Sequence, residues 1–97
     1  MTTNIIVTKS DFYHDFQGLN QRLRPRNHDP ADDPFADALR RAFPDAQRVR
    51  VLVSQWEIDD QEGSWPPGVA RVIHEWDEYG CLPHPIPTTD APLRFVI

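Results

Sequence analysis

The sequence predicts an α/β domain in which a three-stranded, mainly parallel sheet carries three helices, in the order β-α-α-β-α-β. Short runs rich in β-branched residues at positions 4–8, 48–58 and 93–97 predict the strands. Between them, apolar residues recur at intervals of three and four, which predicts helices. Because a helix that connects two strands normally joins parallel neighbours, we expect parallel pairing. The 97 residues are expected to form a single domain, 1–97.

The N-terminal part of the chain predicts a strand followed by a first helix. The run NIIVT at residues 4–8 predicts the strand. Ser10 is a candidate N-cap for the helix, and Pro25 is expected to end it. The apolar face of this helix would be formed by Phe12, Phe16, Leu19 and Leu23.

The second predicted helix has the clearest start signal in the chain. Asp33 is a candidate N-cap, and Pro34 takes the first helical position, where a backbone N–H is not needed. Arg40 and Arg41 lie near the end of the helix, where the helix dipole favours positive charge. The apolar face would be formed by Phe35, Ala38, Leu39, Ala42 and Phe43.

Residues 48–58 predict a central strand that is buried on both faces. One face would hold Val49, Val51 and Val53, and the other would hold Leu52, Trp56 and Ile58. Residues 59–65 predict a polar loop.

The C-terminal part predicts a third helix and a last strand. Pro66 and Pro67 are expected to open the helix, and Gly80 is well placed to end it. Residues 81–92 contain too many prolines for regular structure, and residues 93–97 (LRFVI) predict a strand tied into the sheet.

Negative charge is concentrated in one part of the chain. The 23 residues from 56 to 78 contain seven acidic residues and one arginine, a net charge of −6, whereas the whole chain carries −5. Segregated charge creates a field that attracts a partner of opposite charge, so we expect a basic partner. Direct nucleic-acid binding is not expected, because it needs a basic patch.

Composition also bears on the compartment. No apolar run approaches the roughly 18 residues of a membrane span, and the N-terminus lacks the pattern of a signal peptide. The single cysteine, Cys81, cannot form an internal disulfide. These features favour a cytoplasmic protein that does not bind a membrane.

The candidate partner-binding residues fall into two acidic groups, with one aromatic residue beside the second. Runs of acidic residues can also be an ordinary solvated face. Trp65 lies in a polar stretch, where it would either be displayed as a binding residue or cover the edge of the sheet. The candidates are Asp29, Asp32, Asp33 and Asp37 in the first group, and Asp59, Asp60, Glu62 and Trp65 in the second.

No motif in the sequence indicates catalysis or a cofactor. His74, Cys81 and His84 are the only candidate metal ligands, and a fourth ligand is missing. Cys81 follows a predicted helix C-terminus, where the dipole disfavours a thiolate. The sequence therefore predicts a protein that is not an enzyme and has no metal or cofactor.

In element order and short motifs the chain resembles barstar, the small cytosolic inhibitor of a secreted ribonuclease. The matching segments are Asp37-Ala38-Leu39 in the second predicted helix, VRVLVSQWEI at residues 49–58, Glu78-Tyr79-Gly80-Cys81, and the final LRFVI. The resemblance implies an inhibitor fold whose second helix faces the target, and it carries Asp37 across as a binding residue. Residues 26–35 and 83–92 depart from the pattern, and Arg41 stands where the family has a second acid.

Three functional hypotheses follow. The first is a small acidic inhibitor, of the antitoxin or immunity type, that occludes a basic nuclease or nucleic-acid-handling enzyme by mimicking nucleic acid; a phage-encoded anti-defence protein of the anti-CRISPR type is a variant. The second is a non-catalytic accessory domain that docks through residues 81–92 and an apolar stripe. The third is a small enzyme that uses His74, Cys81 and His84.

Overall fold

The computed structural model describes residues 2–16, 20–24 and 29–97. Short antiparallel strands dominate it, with one helix in the middle of the chain and another before the last strand. In chain order the elements are β1 (Asn4–Val7), a 3-10 helix (Lys9–Phe12), β2 (Tyr13–Phe16), β3 (Asn20–Leu23), α1 (Pro34–Ala42), β4 (Val49–Val51), β5 (Gln55–Ile58), β6 (Gln61–Ser64), α2 (Val69–Tyr79) and β7 (Leu93–Val96).

Every described strand pair is antiparallel, so the predicted α/β fold with a mainly parallel three-stranded sheet and three helices is wrong. β1 pairs with β7, β2 pairs with β3, and β4, β5 and β6 form a three-stranded sheet in that order. Two of these sheets are made by strands that are only a few residues apart in the chain, and strands this close in sequence pair antiparallel. The third joins the two strands nearest the ends of the chain.

The predicted central strand 48–58 is a hairpin. The backbone N–H of Leu52 donates to the Gln55 carbonyl at 2.9 Å and closes the turn between β4 and β5. Val51 then lies opposite Trp56, and Val49 lies opposite Ile58. These four side chains therefore share one face of the sheet rather than being divided between two.

The predicted first helix is replaced by the 3-10 helix and the β2–β3 hairpin. Phe12 ends the 3-10 helix fully buried, with its ring 5.8 Å from Phe35 and 5.2 Å from Trp76. The backbone N–H of Arg24 donates to the Phe12 carbonyl at 2.9 Å, which continues the pairing of the hairpin. The residues Gly18–Leu19 and Pro25, which are part of the predicted helix and its end, lie outside the described residues.

The helix predicted after Asp33 is confirmed as α1. The Asp33 carboxylate accepts a hydrogen bond from the Phe35 N–H at 2.7 Å, and Pro34 is the first helical residue. Phe35 and Leu39 are fully buried, and α1 packs against β1 and β4.

The helix predicted after residues 66–67 is confirmed as α2, although it begins at Val69. Ile73 and Trp76 are buried on its inner face. Gly80 adopts a left-handed conformation with φ 66°, and its N–H donates to the Trp76 carbonyl at 2.9 Å. The last strand is also present, as β7. Neither helix in the described part of the chain is long and apolar enough to cross a membrane.

Candidate functional site

The first acidic group is largely engaged with arginines of the same molecule. Arg24, 8% exposed, donates from Nη1 to Asp37 at 2.6 Å and from Nη2 to Asp32 at 2.5 Å. Burial lowers the pKa of this guanidinium, but the hydrogen bonds and charges of Asp37 and Asp32 outweigh that effect and the pKa is raised. Arg40 donates to the other oxygen of Asp37 at 2.9 Å. These carboxylates therefore balance a buried cation.

The other two members of this group organise the chain before α1. Asp33 is only 5% exposed and caps the helix, and burial raises its pKa to about 7. Asp29 accepts a hydrogen bond from the Ala31 N–H at 2.9 Å within a turn. Of the four, Asp29 and Asp32 are exposed and contribute to the surface charge.

One structural ion pair was not anticipated from the sequence. Asp11, 5% exposed, accepts hydrogen bonds from Arg41 at 2.5 and 2.7 Å and from the Thr8 N–H at 2.9 Å. Arg41 also donates to the Ile6 carbonyl at 2.8 Å, so it ties α1 to β1.

The second acidic group lies around the turn between β5 and β6. Asp59 has a positive φ of 52° and accepts hydrogen bonds at one oxygen from the N–H groups of Gln47 and Arg48, at 2.8 and 2.9 Å. Asp60 follows it and is exposed. Glu62 lies on β6 opposite Glu57, on the other face of the sheet from Trp56.

Trp65 is not displayed to solvent. It is 7% exposed, its indole N–H donates to the Leu52 carbonyl at 2.8 Å, and its ring lies 5.8 Å from that of Phe95. The predicted polar loop contains strand β6, which carries Trp65 to the end of the sheet, where it packs against β7. Of the two alternatives for Trp65, the structure shows the packed side chain at the edge of the sheet, and not display to a partner.

A cleft of about 740 Å³ lies between the residues that follow α1 and the β5–β6 turn. Apolar side chains supply most of its lining, and acidic side chains supply the charge. We call it the acidic cleft; its lining residues are Thr3, Ala42, Phe43, Pro44, Asp45, Ala46, Trp56, Ile58, Asp59, Asp60, Gln61 and Ile97.

The charge of the acidic cleft has one sign. It contains Asp45, Asp59 and Asp60, and no lysine, arginine or histidine is among its described lining residues. In the part of the chain that the structure describes, neither Asp45 nor Asp60 forms a side-chain ion pair or hydrogen bond. The Asp59 carboxylate is held in place by its two backbone hydrogen bonds. The cleft therefore offers uncompensated negative charge beside apolar surface.

Trp56 forms an aromatic wall of this cleft. A Cβ atom added to Gly63, opposite it on β6, would lie 2.5 Å from Cζ2 and 2.7 Å from Cε2 of the indole. The ring therefore rests directly against the β6 backbone, which is possible because residue 63 has no side chain. Trp56 remains partly exposed.

The structure brings two of the sequence candidates together, Asp59 and Asp60, and adds three residues that sequence reasoning did not select. Asp45 was not among the sequence candidates, and Phe43 and Trp56 were assigned to the apolar faces of a helix and a strand. The local signal that could have identified Asp45 is its position beside Pro44, in the short segment between α1 and β4.

The candidate metal ligands do not form a site. His74, Cys81 and His84 are all exposed, and the His74 ring packs at 6.2 Å from Tyr79. Among residues with described positions, no three histidine, cysteine or acidic side chains are close enough together to hold a metal ion.

A scan against protein-family models, a search of curated proteins and a search of solved structures each returned no match. The resemblance to barstar stays a prediction from short motifs.

Proposed function

We propose that the protein is a small acidic, non-catalytic inhibitor of the antitoxin or immunity type. It would bind a basic nuclease or another nucleic-acid-handling enzyme in the cytoplasm and occlude the surface that contacts nucleic acid. The acidic cleft supports this proposal, because it presents three carboxylates and an aromatic wall without a basic residue among its described lining residues.

The carboxylates of the cleft are better placed to bind a partner than to stabilise the fold. Asp45 and Asp60 balance no arginine of the described chain, in contrast to Asp32 and Asp37. Carboxylates that are left uncompensated on a rigid surface attract a cationic partner and speed its association. Partly exposed Trp56 and Phe43 add apolar area that a partner can desolvate, as aromatic residues do at interfaces.

A second candidate, an accessory domain, is favoured by a separate feature. The proline-rich segment 81–92 packs against α2 with Pro83 and Pro87 buried, and a groove of about 380 Å³ lies between them. An accessory domain would dock through this groove. Its lining includes the basic Arg71 and the acidic Glu75, so its charge is mixed.

Affinity purification from the source cell or its virus tests the proposal and separates the two candidates. The cleft variant combines Asp45→Asn, Asp59→Asn and Asp60→Asn; a matched control combines Glu75→Gln, Glu78→Gln and Asp90→Asn, which removes the same charge outside the cleft. We expect wild type and control to retain a basic partner whose nuclease activity falls when the protein is added, and the cleft variant to lose most of it. Retention by the cleft variant that equals wild type would contradict the inhibitor proposal.

A further inference from the structure

We propose that the acidic cleft receives an arginine side chain of the partner, with its guanidinium stacked on Trp56 and paired with the carboxylates of Asp59 and Asp60. This inference rests on the proposed function, and it names the group of the basic partner that the cleft recognises.

The lining of the cleft suits a long side chain with an apolar stem. Phe43, Ile58 and Ile97 provide apolar lining, whereas the charges belong to Asp45 and to the β5–β6 turn. An arginine side chain has the same division, because its methylene stem packs on apolar surface while its head remains polar. A small inorganic cation would leave that apolar lining uncovered.

The aromatic wall distinguishes arginine from lysine. A guanidinium is planar, weakly hydrated and stacks on aromatic faces, whereas an ammonium is compact and strongly hydrated. Because Gly63 has no side chain, the indole of Trp56 can lie against the β6 backbone and form one wall of the cleft. A tryptophan face beside carboxylates is more complementary to arginine than to lysine.

The carboxylates supply the charge that the head group needs. Both backbone hydrogen bonds of Asp59 use Oδ1, and no described donor contacts its Oδ2. Asp60 adds a second carboxylate at the next position, and Asp45 a third across the cleft. A guanidinium has five N–H donors and can bond to more than one of these groups at once.

A nuclear magnetic resonance titration of the full chain tests the assignment. The probe is the peptide N-acetyl-Gly-Arg-Gly-amide, with the lysine peptide and the neutral citrulline peptide as matched comparisons. The readout is the indole N–H signal of Trp56, and the buried indoles of Trp65 and Trp76 serve as internal references. We expect a saturable shift at Trp56 with the arginine peptide, binding at least about threefold weaker with lysine, and no saturable shift with citrulline.

Two variants locate the binding groups. Trp56→Leu should abolish binding, and because the indole reporter is lost this is followed at the backbone amide signals of Asp59 and Asp60; the change also alters a partly buried residue. Asp60→Asn changes an exposed side chain, so the fold should be retained, and it should weaken the arginine peptide about threefold or more because one carboxylate is lost. Asp90→Asn is the matched control and should bind as wild type does. Equal binding of arginine and citrulline peptides, or an Asp60→Asn variant that binds normally, would overturn the assignment.

The outcome is distinguishable from failure of the proposed function. If the wild-type protein retains a basic partner through the cleft but the arginine peptide does not shift Trp56, the arginine assignment is wrong while the inhibitor proposal stands. If the peptide binds at Trp56 but the cleft variant retains its partner undiminished, the proposed function fails and the cleft remains an arginine-binding site.

Discussion

At the level of single residues, Asp33 combines two opposing demands. Its carboxylate caps α1, and a helix N-terminus favours negative charge. Burial and the nearby Asp77 carboxylate disfavour that charge and raise the pKa to about 7. In the unfolded chain the pKa is near the ordinary 3.8. The folded state therefore binds a proton that the unfolded state releases between these two values.

From this difference we predict the direction of a pH dependence. Stability from Asp33 is fully present below about pH 4, and it is lost as the pH rises towards 7. Asn is as good an N-cap as Asp and has no charge, so Asp33→Asn should remove this dependence. Between pH 4 and pH 8, the free energy of unfolding of the variant should rise relative to that of wild type by on the order of 2–4 kcal/mol.

Urea unfolding of both proteins at several pH values between 4 and 8 measures this difference. Asp33→Ala is the control for the cap: it should lose about 1 kcal/mol relative to Asp33→Asn at every pH, because no side chain accepts the Phe35 N–H. A stability difference between wild type and Asp33→Asn that does not change with pH would show that the pKa of Asp33 in the folded protein is not raised.

Gly63 is a second position where one residue has a disproportionate effect. We predict that Gly63→Ala destabilises the protein by about 1–3 kcal/mol, because its methyl group would occupy the space of the Trp56 indole. Thermal unfolding measures the loss. The exposed neighbour Ser64→Ala is the matched control and should change stability little. A Gly63→Ala variant as stable as wild type would mean that Trp56 can move away.

At the level of elements, signals within a few residues predicted structure well, and longer patterns did not. α1 was predicted because its cap, its first proline and its apolar face occur together within ten residues. α2, which has no side-chain cap, was predicted from Pro66 and Pro67 before it and from Gly80 at its end. The strands at 4–8 and 93–97 were predicted as elements, but their antiparallel pairing joins residues about ninety positions apart and leaves no local signal.

The two wrong elements have a common cause. In residues 10–24 a spacing of four, seven and eleven fits one helix face, yet Tyr13–Phe16 are weak helix formers, and pairing as a hairpin satisfies their backbone equally well. In residues 48–58 the apolar residues alternate on both sides of Ser54, so the same pattern describes one long strand or two short ones. In the structure the chain turns between Leu52 and Gln55, whose backbone groups form a hydrogen bond, so two short strands are formed.

The candidate site was predicted only in part for a related reason. Asp59 and Asp60 were selected because acidic residues in a polar stretch are conspicuous in sequence. Whether a carboxylate is free depends on tertiary neighbours, and Arg24 lies next to Asp32 and Asp37 only after folding. Trp56 was expected to be buried and is partly exposed, whereas Trp65 was a candidate for display and is buried. This reversal was missed because β6 was not predicted.

Arg24 links the end of the β2–β3 hairpin to the segment before α1, and this link is testable. We predict that Arg24→Met destabilises the protein by about 1–3 kcal/mol, since the methionine fills the buried volume but removes the hydrogen bonds that Arg24 donates to Asp37, Asp32 and the Asp11 carbonyl. Both carboxylates are about half exposed, so water limits the loss. Chemical denaturation measures it.

A double-mutant cycle shows whether the ion pair itself is responsible. Asp37→Asn in the Arg24→Met background should cost less than Asp37→Asn alone, because the charge partner is already absent. Strict additivity of the two substitutions would indicate that Arg24 stabilises the protein by packing rather than by pairing.

At the level of the whole molecule, the acidic residues act at two distances. The formal net charge is −5, and the exposed acidic residues create the field that a basic partner meets first. Only those in the acidic cleft would touch the partner once it is bound. The cleft variant and its matched control each remove three negative charges, so each has a net charge of −5 + 3 = −2. The two variants therefore share a weakened overall field but differ in the contact.

This design separates steering from contact in the measured rate constants. With the purified partner, we predict that both variants associate more slowly than wild type by about threefold to tenfold at low salt, and that the difference shrinks towards physiological ionic strength as charges are screened. The dissociation rate should rise about tenfold or more for the cleft variant alone, because buried charge pairs at an interface act mainly on dissociation. Surface plasmon resonance at several salt concentrations measures both constants. The two variants have the same net charge and differ only in whether the carboxylates of the acidic cleft are removed. Equal dissociation rates for the two variants would therefore show that the partner does not contact these carboxylates and would place the contact elsewhere on the acidic surface.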